Sequence, residues 1–393
     1  MSRIASRILT VDDAEYFARR RLPKSLAQAI EVGEPVSTFG RNLKAFEQVS
    51  FRPRNGVWHP ERDLTTTVVG HAIALPVMIA PTGNLRLFHR DAEPGVARAA
   101  SAAGSIQCVS TLTGYPIEDI TAAASGPVFF QLYLVGGRSN AEVNIDRAAR
   151  AGCGALVVTV DTAARYQARR SVRERAYLPY SISAGSIVRF LTQAVSRPRW
   201  LKDFLRHPGA LETPMVRRSD GTAMSMAEAA TALANEIPTW GDLEWIRAQW
   251  PGPIIVKGIL TGEDARRAVS HGASAVVVSN HGGHLLLGSP PTLRVLPEVV
   301  GAVGDEVEVL LDSGVRSGSD VVKAVALGAR AVLIGRGYLW PLAAAGEAGV
   351  RRILEVFRDG IDSTLALIGC PSIASLDATY VTVPREWRGG EGG

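Results

Sequence analysis

Short apolar runs recur along the chain, separated by longer stretches whose apolar positions follow a helical period. The runs fall at residues 75–80, 105–110, 128–133, 155–161, 254–257, 275–279, 307–312 and 331–334. Most are continuously apolar rather than alternating, the pattern of parallel strands covered on both faces. The stretches between them carry helix punctuation. Gly262-Glu263-Asp264 opens a helix after the fifth run, and Ser317-Gly318-Ser319-Asp320 supplies a cap ahead of residues 321–326. Gly272 and Gly328 close those helices, where chain reversal needs a permissive backbone. Strand and helix alternate through eight units, which predicts an α/β fold of the (β/α)8, or TIM barrel, type over a doubly wound sheet.

A single domain is expected, with the barrel over residues 71–383 and three parts outside its repeats. Residues 1–70 form an N-terminal extension with an initial helical pattern that has Pro23 inside it. Residues 163–238, after the fourth strand, are far longer than an ordinary βα loop. Trp200, Phe204 and the basic residues of this insertion suit a lid over an anionic ligand, with a solvated basic loop as the competing reading. The tail, 384–393, ends Gly389-Gly390-Glu391-Gly392-Gly393 and reads as loosely ordered.

Composition narrows the classes. At 393 residues, 46% hydrophobic and 21% charged, the chain has a globular balance that excludes disorder over most of its length. Its first 16 residues lack the apolar core of a secretory signal. No apolar run reaches the roughly 20 residues that cross a bilayer, so a cytoplasmic protein without a membrane span is expected. Cys108, Cys153 and Cys370 share no CxxC or metal-ligand spacing and read as reduced, buried thiols. The net charge of +5 comes from scattered basic residues, which fit phosphate or carboxylate ligands as well as nucleic acid; no nucleic-acid partner is expected.

Reactive residues of such barrels gather at the C-terminal ends of the strands. Here those ends offer Thr82 and Gly83, Ser110, Gln131 with Tyr133, Thr159 with Asp161, Lys257, Ser279 to Gly283, Asp312 to Arg316, and Gly335-Arg336-Gly337. The last two segments follow strands seven and eight, where loop amides and a helix N-terminus commonly bind phosphate. Gly314 and Gly335 let backbone donors approach, and Arg316 and Arg336 neutralise charge. His281 lies just beyond an apolar strand with glycines after it, placing a general base at the mouth; a structural histidine is the competing reading. His284 could pair with it on a metal, but no third ligand follows at a recognised spacing, so no metal is expected. Lys257 could stabilise an anion or form a Schiff base. Tyr133 is either a core aromatic or a hydrogen-bond donor to a substrate oxygen, on the same face as Gln131.

Over about residues 11–383 the chain resembles the FMN-dependent α-hydroxy acid oxidase and dehydrogenase family, which includes glycolate oxidase, lactate oxidase and flavocytochrome b2. The resemblance rests on Arg21-Leu22-Pro23-Lys24, Ala80-Pro81-Thr82, Phe130-Gln131-Leu132-Tyr133, Thr159-Val160-Asp161-Thr162, Val256-Lys257-Gly258, Ser279-Asn280-His281-Gly282, Asp312-Ser313-Gly314-Val315-Arg316 and Ile334-Gly335-Arg336, in that order. It implies FMN as cofactor, with Thr82, Gly83, Ser110, Gln131 and Thr159 along the flavin ring and Lys257 at its N1 and O2 edge. Asp312, Gly314, Arg316, Gly335 and Arg336 would hold the phosphate end, and Ser279 belongs to the same set. His281 would take a proton from the substrate, Asp161 would stabilise the resulting imidazolium, and Tyr133 would hydrogen-bond the substrate. The family also implies oxygen or another carrier as electron acceptor and a homo-oligomer, commonly a tetramer.

Two departures bear on the substrate. Hydroxy acid oxidases carry a tyrosine where this chain has Ala29, and an arginine where it has His284; both normally grip the substrate carboxylate. A further loop arginine corresponds to Arg169 or Arg170. Losing a bidentate guanidinium is not conservative. Arg21 to Ser25, Ser196 to Leu201, Pro238-Thr239-Trp240 and Ser319 to Ala331 look most like the pre-mycofactocin synthase branch. That branch oxidatively deaminates an amino-lactam, a substrate with no free carboxylate. The alternative within the same chemistry is an L-2-hydroxy acid oxidase or dehydrogenase acting on lactate or glycolate. A Schiff-base lyase using Lys257 and a phosphate-binding module without turnover stand outside it.

Overall fold

The computed structural model describes residues 3–31, 38–162, 184–206, 211–218, 220–233 and 236–387. Eight parallel strands close into a barrel: β1 (Val77–Ile79), β2 (Gln107–Ser110), β3 (Val128–Leu132), β4 (Leu156–Thr159), β5 (Ile254–Ile259), β6 (Ala275–Val278), β7 (Glu308–Leu311) and β8 (Ala331–Ile334). Each pairs with its neighbours in chain order, and β8 returns to β1 through Val332 opposite Val77. This is the (β/α)8 TIM barrel expected from the periodicity. Seven strands lie within their predicted runs, while β5 continues to Ile259 past a register shift at Gly258.

The apolar runs are continuous because alternate residues meet two different apolar surroundings. Met78, Cys108, Phe129, Val157, Val277 and Leu310 fill the barrel interior. Val77, Val109, Phe130, Val158, Val276 and Val309 face outward beneath the helices. Burying such a side chain contributes about 1.5–3 kcal/mol relative to leaving it in water, so polar residues are excluded from both faces until the strand ends. The hairpin Thr66–Val68 with His71–Ile73 joins the interior cluster through Val68 and Ile73. The three free cysteines are all buried.

The helices stop and start as their caps dictate. Thr261 accepts from Asp264 N at the head of Gly262–Ser270, and Ser317 forms a capping box with Asp320 ahead of Gly318–Ala326. Gly272 and Gly328 follow those helices with φ of 87° and 102°. The N-terminal extension differs from a single helical pattern containing Pro23. Pro23 lacks an N–H and sits at the N-cap between α1 (Val11–Arg21) and α2 (Lys24–Ile30). A third helix, α3 (Thr38–Gln48), follows. α1 packs on the helix Arg336–Ala345 after β8, and α3 packs on Thr292–Val303 and on the turn His281–Gly283.

Within the insertion, helices Ala184–Val195 and Pro198–Leu205 precede a two-stranded hairpin, Glu212–Arg217 with Ala223–Ser225. Trp200, part of the segment read as suiting a lid or a solvated basic loop, docks this segment onto the rest of the chain. It is buried, stacks on Phe204 at 4.9 Å, and donates its indole N–H to Leu87 O at 2.8 Å. Asp203 pairs with Arg21, fastening the same segment to α1. The hairpin contributes Val216 to an apolar cluster around Tyr133. In the tail, Arg385–Trp387 form a short 3-10 helix. No described helix is long and apolar enough to cross a membrane.

Candidate active site

Polar side chains at the C-terminal ends of β4 to β7 converge into one connected network. It begins at Gly258, whose φ of 112° and missing Cβ let the chain pass Asp161: a Cβ there would lie 2.7 Å from that of Asp161. Asp161, two residues past β4, accepts from His281 Nδ1 at 3.0 Å through Oδ1. Burial would raise the Asp161 carboxyl, but the charge and hydrogen bond of His281 and the charge of Lys257 outweigh it and hold the group below its ordinary value. An anionic Asp161 fixes the proton on Nδ1 and leaves Nε2 of His281 as the free basic atom.

The histidine turn is strained and pinned. His281 has φ of 56°, a left-handed conformation that costs a non-glycine residue roughly 1–3 kcal/mol. Its backbone N–H donates to Ser279 Oγ at 3.1 Å, and that of Gly282 donates to Ser313 Oγ at 2.9 Å. Gly283 has no room for a side chain, since a Cβ would meet Phe39 N at 2.6 Å.

Lys257 lies below this turn, buried, with Nζ 3.0 Å from Ser279 Oγ and 3.0 Å from Asp312 Oδ2. Burial would lower its ammonium, yet Asp312 and Asp161 raise it. A lysine held protonated between two carboxylates is a weak amine nucleophile, so the arrangement favours charge stabilisation over Schiff-base chemistry. Asp312 is in turn oriented by Ser313, whose hydroxyl donates to Oδ1 at 2.6 Å.

On the other side, Ser110 donates to Gln131 Oε1 at 3.1 Å, and Thr111 ties Gln131 O to Tyr133 N. Tyr133 is buried, and burial followed by the charge of Asp161 pushes its phenol up, keeping it a neutral donor. Thr82 hydrogen-bonds the Tyr338 hydroxyl, and Gly83 lies against Leu112. Gln131 Nε2 and Thr159 Oγ1 are buried without a partner.

After β7 and β8, Gly314, Arg316 and Arg336 line a cavity of about 350 Å3 together with Phe39 and Trp340. Arg336 lies 3.8 Å over the Phe39 ring and donates to Gly282 O at 2.6 Å. Gly335 precedes it with an open face. Burial, then the neighbouring Arg316 charge, depresses Arg336, and burial depresses Arg316. Nη1 of each guanidinium is buried and unpartnered. These two unpartnered nitrogens are donors suited to an anion, and Asp12, Glu15, Glu31, Glu47 and Asp320 line the same cavity. His284 stands beside Arg336, its ring 6.5 Å from that of His281. Burial, then the charges of Arg336, His281 and Lys257, hold it well below its ordinary value, so it is neutral.

Thus His281, Asp161, Lys257, Ser279 and Asp312 meet in one network, Ser110, Gln131 and Tyr133 form a second, and Gly314, Arg316 and Arg336 face one cavity. Arg169 and Arg170 lie outside the described residues. Sequence reasoning assigned no role to Asn42, Phe39, Ser313 or Tyr338, all of which touch this machinery. Ser313 stands within the Asp312 to Arg316 segment, whereas nothing in the local pattern distinguishes Asn42 or Phe39.

The sequence profile described as FMN-dependent dehydrogenase matches residues 18–383. Among individual proteins, the pre-mycofactocin synthase of Mycobacterium tuberculosis (strain ATCC 25618 / H37Rv) is 43% identical over 379 residues, covering 95% of this chain and 94% of that protein. Glycolate oxidase of Spinacia oleracea is 36% identical and covers 97% of both chains. The crystal structure of the monotopic membrane protein (S)-mandelate dehydrogenase superposes with a TM-score of 0.86 at 35% identity, covering 96% of this chain and all of that one.

Proposed function

The chain belongs to the FMN-dependent dehydrogenase family and is an FMN-dependent oxidoreductase, and on that premise we propose that it oxidatively deaminates an amino-lactam or related α-amino amide to an α-keto amide. The residues of the mouth fit FMN: buried donors without partners, Gln131 Nε2, Arg316 Nη1 and Arg336 Nη1, are what a flavin carbonyl edge and a phosphate would satisfy. Arg316, Arg336, Gly314, Gly335 and Asp312 would hold the ribityl phosphate, and Thr82, Gly83, Ser110, Gln131, Thr159, Lys257 and Ser279 the ring. Bound FMN supplies a two-electron acceptor.

The chain's own residues supply the proton chemistry. Nε2 of His281 takes a proton from the substrate, and Asp161, hydrogen-bonded to Nδ1, stabilises the imidazolium that forms. Tyr133 donates to the substrate carbonyl, while the ammonium of Lys257 offsets negative charge that develops beside it. Loss of two electrons and two protons converts the amine to an imine; water then adds, ammonia leaves and the ketone remains.

The observation that carries the substrate assignment is His284, an imidazole in place of a guanidinium, its ring 6.5 Å from that of His281; burial and the neighbouring positive charges hold it neutral. It stands where the family resemblance puts a carboxylate-gripping arginine, and the second gripping position is Ala29. Without these two donors the site loses most of its discrimination in favour of an acid over an amide, keeping only the loop arginine at Arg169 or Arg170. The 43% identity to pre-mycofactocin synthase supports the same reading. Anaerobic mixing tests it. An amino-lactam or bulky α-amino amide is expected to bleach the flavin readily and yield a keto product, with poor bleaching by glycolate, lactate or mandelate. Rapid bleaching by lactate at low concentration, with none by amino-lactams, overturns the proposal in favour of an L-2-hydroxy acid oxidase. Peroxide formation during aerobic turnover distinguishes oxygen from another carrier as the final acceptor.

A further inference from the structure

Asn42, on α3, touches both functional loops at once. Its side chain forms a reciprocal amide pair with Asn280, the residue before His281: Asn42 Nδ2 donates to Asn280 Oδ1 at 2.8 Å, and Asn280 Nδ2 donates to Asn42 Oδ1 at 2.8 Å. Asn280 extends the pair on one side, donating to Pro290 O at 3.0 Å and accepting from Gly283 N at 3.1 Å. The Asn42 backbone closes on the other loop, since a Cβ on Gly314 would lie 3.0 Å from both Cβ and O of Asn42. Both asparagines are buried. Their amide atoms are therefore committed to each other and to Gly283 N, Pro290 O and, at 3.4 Å, Thr292 N rather than to water.

We propose that Asn42 is a positioning residue for the catalytic base: its amide pair with Asn280 holds the strained turn that aims His281, and its contact with Gly314 keys that turn to the anion-binding loop. The proposal rests on His281 acting as the base. The left-handed His281 conformation persists only because surrounding contacts over-determine it. Three side chains accept from the backbone N–H groups of the turn, Ser279 from His281, Ser313 from Gly282 and Asn280 from Gly283, and Arg336 donates to Gly282 O. Of the three acceptors, only Asn280 is itself held by a residue from outside the barrel. Without Asn42, Asn280 loses its main buried partner and the turn can relax toward ordinary backbone, moving Nε2 out of reach of the substrate.

The test compares Asn42→Ala, Asn42→Asp and Lys323→Ala in FMN-saturated protein. Lys323 donates to Phe46 O at 2.8 Å, so its removal loosens the same helix without touching the amide pair. Asn42→Asp keeps the shape and one acceptor, and it serves if the alanine variant fails to fold. The expected result for both Asn42 variants is at least a tenfold slower flavin reduction by an amino-lactam, with substrate affinity within threefold of the parent. Amide hydrogen exchange across residues 280–284 should speed up at least tenfold, while Lys323→Ala matches the parent in both readouts. Parent-like reduction and exchange in Asn42→Asp overturn the proposal, as does an equal loss in Lys323→Ala, which would mark a general effect of helix packing. If no candidate substrate reduces the parent flavin, the proposed function fails, and the exchange comparison still decides the positioning role.

Discussion

Nδ1 of His281 and Oδ1 of Asp161 lie 3.0 Å apart, although 120 residues separate them in the chain. That contact assigns a direction to the imidazole, with one nitrogen committed to the carboxylate and the other free. Asp161→Asn removes the anion and permits the opposite tautomer. Flavin reduction is expected to fall about 100- to 10,000-fold, the usual range for losing an oriented general base, with FMN content unchanged. His281→Ala should abolish bleaching and also keep its flavin, because the imidazole is hydrogen-bonded to Asp161, whereas Arg316 and Arg336 line the cavity assigned to the phosphate. Anaerobic stopped-flow absorbance at constant flavin occupancy checks both.

The same pair gives a pH dependence of stability. The folded Asp161 carboxyl lies below its ordinary value, so its contribution is fully present above the unfolded pKa of about 3.9 and is lost as pH falls through the lower folded value. Between pH 6 and pH 3 the parent should lose more thermal stability than Asp161→Asn. Parallel melting curves for the two proteins over that range would contradict this.

Arg316 and Arg336 are half-buried beside each other, each with a buried, unpartnered Nη1. Replacing either with alanine should weaken FMN binding by ~1.5–3 kcal/mol, a charge-assisted contact each, or roughly 10- to 150-fold in Kd. Arg336→Ala also removes the bond to Gly282 O and the packing on Phe39, so the FMN-free variant should melt somewhat below the FMN-free parent. Titration of FMN fluorescence and melting with and without FMN measure the two effects; unchanged affinity in both variants rules out the phosphate assignment.

Lys257 and Asp312 form a buried ion pair at 3.0 Å. Lys257→Met leaves the carboxylate uncompensated and should cost about 3–5 kcal/mol of stability. Adding Asp312→Asn should restore most of that stability without restoring flavin reduction, since the charge that stabilises the reacting centre is still absent. Denaturant unfolding and anaerobic reduction of the single and double variants separate the structural from the chemical loss.

How much of this was legible depends on how far apart the interacting residues lie in the chain. The eight strands were readable because each is defined by side chains burying on two faces within three to six residues, and the polar strand ends because apolar packing gives way there. The capped helices after β5 and β7 follow from Thr261, Ser317 and their partners three residues on. His281, Lys257, Asp161 and the two glycine–arginine loops could be nominated from their places after strands, but not joined, since nothing local says which carboxylate meets which cation.

Tertiary structure alone decided those pairings, the protonated state of Lys257 and the neutral state of His284, all of which depend on charges brought together by barrel closure. It also made Trp200 a docking residue, because the carbonyl that accepts from its indole N–H belongs to Leu87, 113 positions earlier, while Phe204 stacks on it within the same helix. The N-terminal extension shows the limit most clearly. Asn42 reads as an ordinary polar helix residue, and it gains its importance from Asn280, 238 positions later. Periodicity and capping record what a residue does to its near neighbours, whereas a buried hydrogen bond between distant segments exists only once the chain has closed around it.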